Sequence, residues 1–208
     1  MDIKIGVIGA QGRLGRAIAA LAPVMPVART TKRTGLNCDV LIDVSSPEAL
    51  LENLSANKPI VIGTTGHLDF TPIEQAAKNV PVFYAPNFSL GIALLRKLAL
   101  EIAASFPSDI DLIETHHKKK KDAPSGTALQ LAKLLPGVQI HSIRSGSIIG
   151  EHTLIFNNGL ESLTLSHETH SRDAYARGAL AAARFLIGKP SGLYTMDNLL
   201  SSKLSSVK

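Results

Sequence analysis

Tryptophan is missing from the 208 residues, and tyrosine and phenylalanine occur only three and six times. A platform for single-stranded nucleic acid needs rings on which bases stack, so this composition argues against one. Cysteine occurs once, at Cys38. That excludes an internal disulfide and fits a reducing compartment, so the expected location is the cytoplasm. Cys38 has no histidine beside it in sequence and reads as an inert thiol. No apolar run reaches the ~18–20 residues that span a bilayer. The short N-terminal run Ile3–Ile8 is interrupted by Lys4 and Gly6, and no leader-cleavage pattern follows it. Neither a membrane nor a nucleic acid is expected as a partner.

What is present is an ordinary globular composition, 45% hydrophobic and 19% charged, with a net charge of +5 and a pI near 9.4. Such a balance suits phosphorylated cofactors and carboxylate substrates. From Ile3–Ile8 to Val80–Tyr84, short apolar strand patterns alternate with helical ones. The strands expected are Ile3–Ile8, Val27–Arg29, Val40–Val44, Pro59–Gly63 and Val80–Tyr84, with helices from Arg13 to Leu21, after Ser46-Pro47-Glu48 and from Thr71. Ser46 is the expected cap of the second helix. The alternation predicts a doubly wound α/β unit with a parallel sheet. After Pro86-Asn87 the texture changes. A long helix over Gly91–Ser105, a strand over Ile110–Glu114, a helix over Thr127–Leu135, three strands expected to be antiparallel (Ile140–Ile143, His152–Asn157, Glu161–His167) and a last helix over Ala174–Ile187 describe a smaller α+β region.

Gly9-Ala10-Gln11-Gly12-Arg13-Leu14-Gly15 joins the first strand to the first helix. Glycines there permit a tight turn and close approach of a pyrophosphate, and the helix start offers amide donors. After the second strand comes Arg29-Thr30-Thr31-Lys32-Arg33, without the acidic residue that would hold a ribose 2′-hydroxyl. Cations at that position pair with a 2′-phosphate, so NADPH is favoured over NADH. Three further strand ends carry glycine or small polar groups: Asp43–Ser46 with Ser45, Gly63-Thr64-Thr65-Gly66, and Ala85-Pro86-Asn87-Phe88-Ser89. Ligands of open α/β sheets sit beyond such ends. The Gly63–Gly66 loop leaves room for a flat ring and offers backbone groups to a carboxamide.

The stretch Glu114-Thr115-His116-His117-Lys118-Lys119-Lys120-Lys121-Asp122-Ala123-Pro124-Ser125-Gly126-Thr127 concentrates cations, a titratable donor and a turn that opens a helix. A histidine near neutrality can protonate a carbon centre created by hydride addition. Lysine neutralises a carboxylate. Ser125, Gly126 and Thr127 offer hydroxyls and amides to a second one. Ser125 lacks the strand–Ser–helix elbow of a serine hydrolase. Adjacent histidines on a strand end point in opposite directions, so no metal site is expected. Arg144 is either a cation for a substrate carboxylate or an ion-pair partner. His167 and Arg172 read as packing or hydrogen-bonding residues, and His152 as part of the sheet.

These motifs together resemble the dihydrodipicolinate (4-hydroxy-tetrahydrodipicolinate) reductase family of diaminopimelate and lysine biosynthesis. The resemblance runs through Gly9–Gly15, Gly63–Gly66, Ala85–Ser89 with Gly91, the highly specific His-His-x-x-Lys-x-Asp-Ala-Pro-Ser-Gly-Thr-Ala string, Arg144-Ser145-Gly146 to His152, Ser171-Arg172 and Gly192–Met196. It implies a Rossmann-type doubly wound parallel sheet over 1–90 plus 173–208. It also implies a substrate-binding and oligomerisation domain over 91–172, with an open mixed sheet through which a homotetramer forms. It implies NADPH or NADH as cofactor, held by Gly9, Gln11, Gly12, Arg13, Leu14, Gly15, Arg29, Ser45, Gly63, Thr64, Thr65, Ala85, Pro86, Asn87 and Phe88. His116 is the implied proton donor and Lys120 the implied substrate-binding, catalytic lysine, while His117, Ser125, Gly126 and Thr127 complete the contacts to a small dicarboxylate. The chain departs from the family in having Leu14 where methionine is common, a short segment before Asp43, and no ribose-site acid. The competing readings are another two-domain NAD(P)-dependent oxidoreductase, such as an aspartate dehydrogenase relative, or a polyanion-binding module using Lys118–Lys121.

Overall fold

The computed structural model describes residues 3–28, 32–66 and 68–204. The chain forms two compact units, one of Met1–Leu90 with Asp173–Lys208 and one of Gly91–Arg172. The first unit begins β1 (Ile5–Ile8), α1 (Arg13–Leu21), β2 (Met25–Val27), β3 (Val40–Asp43), a 3-10 turn (Pro47–Ala49), α2 (Leu50–Leu54), β4 (Ile60–Ile62), α3 (Thr71–Ala77) and β5 (Pro81–Tyr84). Then come α4 (Leu90–Ser105), β6 (Asp109–His116), α5 (Gly126–Leu134), β7 (Gln139–Arg144), β8 (Glu151–Asn157) and β9 (Ser162–Glu168). The chain closes the first unit with α6 (Asp173–Leu186), β10 (Gly192–Tyr194) and α7 (Met196–Leu204).

The first unit holds six parallel strands in the order β10-β5-β4-β3-β1-β2. The central strands are continuously apolar because helices cover both faces: α1 packs on α6, which crosses β3, β4 and β5, while α2 packs on α3. A core of Ile8, Leu41, Ile60, Ile62, Ile73 and Val82 fills one side, with Cys38 buried in it. The strand order reverses beside β1, which pairs with β2 on one edge and β3 on the other.

Two local readings of this unit are corrected. β2 runs Met25–Val27 and includes Pro26, whereas the sequence suggested a strand starting at Val27. Proline is tolerated because β2 is the sheet edge, where its missing N–H costs no ladder bond. Ser46 stands at the cap position of the 3-10 turn but makes no side-chain cap bond. β10, a three-residue strand beside β5, is too short to show a periodicity and was not anticipated.

The second unit is a four-stranded sheet in the order β7-β6-β8-β9. Its sequence reading as three antiparallel strands is corrected at β7, which lies parallel to β6, because α5 carries the chain back before β7 begins. β8 and β9 are antiparallel as expected. One face packs Ile110, Leu112, Leu154 and Phe156 under Leu95 and Ala99 of α4 and Ala128 and Leu131 of α5. Along the same face the next cross-strand row is Ser142, Glu114, His152 and His167, followed by Arg144 opposite His116. A single strand face is therefore apolar core at one end and ionisable at the other.

Candidate active site

β6 carries Leu112, Glu114 and His116 on one face, because side chains repeat every two residues along a strand. Glu114 is fully buried and His116 is 8% exposed. His116 Nδ1 lies 2.5 Å from Glu114 Oε2. The other carboxylate oxygen accepts from Arg144 Nη2 at 2.7 Å and from the Ser125 backbone N–H at 3.2 Å. Burial pushes the Glu114 carboxyl up, but hydrogen bonds from Arg144, Ser142 and His116 outweigh it and hold the group below the usual carboxylate value. Arg144 is thus an ion-pair partner of Glu114, one of the two readings its sequence left open. Burial pushes His116 below the usual imidazole value, against the pull of Glu114, and the charges of Lys120 and Arg144 push the same way.

Two neighbours shape the space around the His116 ring. His152, 3% exposed, meets it edge-to-face with centroids 5.4 Å apart. Burial and the adjacent His116 drive His152 down to about 4, so it is neutral near pH 7. Gly150 lies beside the other ring nitrogen: a Cβ there would stand 3.0 Å from His116 Nε2. The glycine keeps that nitrogen clear of side chain.

Beyond β6 the loop sorts the four lysines. Lys118, Lys119 and Lys121 are exposed, while Lys120 is half-buried and its Nζ donates to both carboxylate oxygens of Asp122 at 2.9 and 2.8 Å. His117 is half-buried, and its carbonyl accepts from the Lys120 N–H. Ser125 caps α5, its Oγ accepting from Ala128 N at 3.2 Å with His152 Nε2 at 3.4 Å. Its own amide is taken by Glu114, so what the turn presents outward is the start of α5 at Gly126 and Thr127.

In the first unit a cavity of about 560 Å³ opens at the carboxyl ends of β1, β2 and β3, lined by Gly9, Gln11, Val27, Arg33, Ser45 and Ser46 among others. This is the point where the strand order reverses, the usual seat of a dinucleotide. α1 begins there with no side-chain cap on its first-turn amides, which fits an anion at the helix start. Gly15 is needed by the fold itself, since a Cβ there would lie 2.3 Å from the Gly9 carbonyl oxygen. Ser45 and Thr64 donate to Asp43, which Asn53 links to Arg33.

Of the residues expected around a dinucleotide, Gly9, Gln11 and Ser45 line this cavity. Gly12 and Arg13 are exposed beside it and Leu14 is half-buried. Arg29 lies outside the described residues. Thr64 is buried on Asp43, Thr65 and Pro86 are exposed, Ala85 is buried and Asn87 accepts from the Ser89 N–H at 2.8 Å. The flat ring over Gly63 is that of Phe88, whose Cε2 would meet a Cβ at 2.3 Å; a glycine was required there, but a protein side chain occupies the space. Sequence reading gave no role to Glu114, Gly150, His152 or Asn53. The signal for Glu114 was present: an acid two residues before a histidine, on the face that carries Ile110 and Leu112 inward. Asn53 lay on a short helix with nothing to mark it. Among the described residues no cluster of three or more metal-ligating side chains occurs, and no helix is long and apolar enough to cross a membrane.

Comparison with known proteins agrees over most of the chain. Family models described as dihydrodipicolinate reductase, N-terminus and C-terminus match residues 22–88 and 91–200. A 4-hydroxy-tetrahydrodipicolinate reductase of Clostridium novyi is 39% identical, the match covering 81% of this chain and 79% of that one. Its counterpart from Caldanaerobacter subterraneus is 41% identical, covering 78% and 76%. Among solved structures, a dipicolinate-bound dihydrodipicolinate reductase from Paenisporosarcina superposes with a TM-score of 0.81 at 24% identity, over 94% of this chain and 98% of that one. An aspartate dehydrogenase from Thermotoga maritima gives 0.53 at 13% identity, over 91% and 99%, and shares the fold alone. The chain belongs to the dihydrodipicolinate reductase family, the 4-hydroxy-tetrahydrodipicolinate reductases.

Proposed function

We propose that the family reaction, NAD(P)H-dependent reduction of 4-hydroxy-tetrahydrodipicolinate, is divided here between the two units. Met1–Leu90 with Asp173–Lys208 holds the dinucleotide, and Gly91–Arg172 holds the dicarboxylate. A bound reduced nicotinamide supplies the hydride. His116 delivers the proton to the carbon left electron-rich beside the reduced centre. Lys120, already oriented by Asp122, neutralises a substrate carboxylate. The first turn of α5 at Gly126 and Thr127, with His117 and Ser125 beside it, receives the other. The observation that carries this reading is the buried Glu114–His116 pair at the end of β6, tied to the half-buried Arg144 of β7 and one loop away from the start of α5, where helix amides favour an anion.

The cavity at the β1–β3 crevice supports the cofactor assignment for Gly9, Gln11, Gly12, Arg13, Leu14, Gly15 and Ser45. Arg33 lines it, and among its described lining residues there is no carboxylate to pair with a ribose 2′-hydroxyl. That supports NADPH over NADH. The face of the second sheet that carries Ile113, Ile143 and Ile155, away from the Leu112–Phe156 core, supports assembly into a homotetramer.

The test is NADPH oxidation with the unstable substrate generated in place by a coupled synthase. Turnover is expected, with a higher kcat/KM for NADPH than for NADH. Absence of turnover with this substrate, together with turnover on an aspartate-derived imine, would overturn the reading in favour of an aspartate dehydrogenase activity. Light scattering checks the assembly, four chains being expected and a monomer contradicting it.

A further inference from the structure

We propose that Glu114 is a positioning residue: its carboxylate fixes His116 with a proton on Nδ1 and makes Nε2 the nitrogen that gains and loses the transferable proton. The inference rests on the reading of His116 as proton donor. It begins from which groups can donate and which can only accept. An ionised carboxylate accepts and never donates. Glu114 is kept ionised by the Arg144 guanidinium and the Ser125 amide, which take one oxygen and leave the other to His116 Nδ1. The neutral imidazole must then carry its hydrogen on Nδ1, leaving Nε2 bare.

Nε2 is the nitrogen that Gly150 leaves unobstructed, while the His152 ring fixes the tilt of the His116 ring. In the donating form His116 is an imidazolium, with Nδ1–H on Glu114 and Nε2–H on the side of Gly150. The electron pair left on the substrate carbon after hydride addition takes the Nε2 proton and forms a C–H bond. His116 returns to the Nδ1–H tautomer, and water restores the proton at Nε2. The charged and titratable groups that bear on the His116 ring are Glu114 from its own strand, Arg144 from β7, His152 from β8 and Lys120 from the loop. Only Glu114 among them favours the imidazolium.

The same carboxylate also holds the Ser125 amide at the α5 cap. It therefore ties the proton donor to the turn that receives the dicarboxylate. A Glu114→Gln side chain keeps the shape and its acceptor for Arg144, but turns an amide N–H₂ towards His116 Nδ1. That geometry stabilises the wrong tautomer, as replacing the buried acid of a serine-protease triad by its amide does, at a cost of about 10⁴ in kcat there.

The test is ¹⁵N NMR of labelled imidazole in the wild-type protein, with kinetics of Glu114→Gln. In the wild type, Nδ1 is expected to stay protonated from pH 5 to 9 while Nε2 alone titrates. In Glu114→Gln the neutral ring is expected to move its proton to Nε2, kcat to fall by about 100-fold or more, and substrate KM to change less than about threefold. A wild-type neutral ring protonated on Nε2 overturns the proposal. So does a variant whose kcat falls with Nδ1 still protonated, since that loss would be structural only. If the variant does not fold, the wild-type spectrum decides alone. Full turnover by His116→Gln would instead remove the proton-donor reading, whichever tautomer the spectrum shows.

Discussion

Among the described residues each unit buries one carboxylate completely, near the carboxyl end of a central strand: Asp43 on β3 and Glu114 on β6. Asp43 accepts only from neutral groups: the Ser45 amide and hydroxyl, the Thr64 hydroxyl and the Asn53 amide. A cation, Arg33, reaches it through Asn53, which accepts from Arg33 Nε at 2.8 Å. Glu114 accepts directly from a guanidinium and an imidazole. The physical device is the same, a buried anion satisfied by fixed donors. The difference is what occupies the last lone pair. A neutral amide there makes a strut beside the crevice, and a titratable ring there makes the proposed proton donor.

Replacing His116 by Gln should sharpen this contrast most. Turnover is expected to fall by about 10²–10⁴-fold, with dinucleotide affinity unchanged, read by the coupled assay and by cofactor fluorescence titration. Breaking the strut is the mirror experiment. Asn53→Ala removes one of the four donors to the buried Asp43 carboxylate and one acceptor of the buried Arg33 guanidinium and should cost about 2 kcal/mol in urea unfolding, without moving the pH dependence of turnover.

The two sites should also part on acidification. His152 is held near 4 in the fold, against 6.5 for the free group. Its neutral burial contributes stability that is fully present above about pH 6.5 and lost as pH falls towards about 4, up to ~3 kcal/mol. His116 and His167, also pushed down by burial, act in the same direction. Urea unfolding at pH 7 and 4.5 checks this, and His152→Leu should flatten the difference. The smallest effect is expected from Ser125→Ala, which removes the α5 cap for ~1 kcal/mol while leaving the Ser125 amide on Glu114.

The alternation of β1 to β5 with helices was legible because buried parallel strands are continuously apolar, and the glycine turn and the His116–Thr127 string were legible as local chemistry. Arg144 was not, because its partner Glu114 is 30 residues away and comes within reach only through the parallel pairing of β6 and β7, which sets Arg144 opposite His116. Asn53 escaped for the same reason: its partners Asp43 and Arg33 lie 10 and 20 residues off. Nothing in sequence marks Gly150 as a neighbour of His116, 34 residues before it, until the fold lays the two together. Phe88 filling the space over Gly63 is likewise a tertiary fact, set by the loop after β5 folding back over the loop after β4.

The most direct test of the central claim is kcat/KM for the dicarboxylate against pH, in wild type and in His116→Gln. Because the donor must be protonated and burial lowers the His116 affinity for protons, wild-type kcat/KM should fall with rising pH, with a midpoint below about 6.5. The kcat midpoint should lie higher, since a bound dianion stabilises the imidazolium. In His116→Gln that limb should vanish; a limb that persists unchanged in the variant would contradict the account.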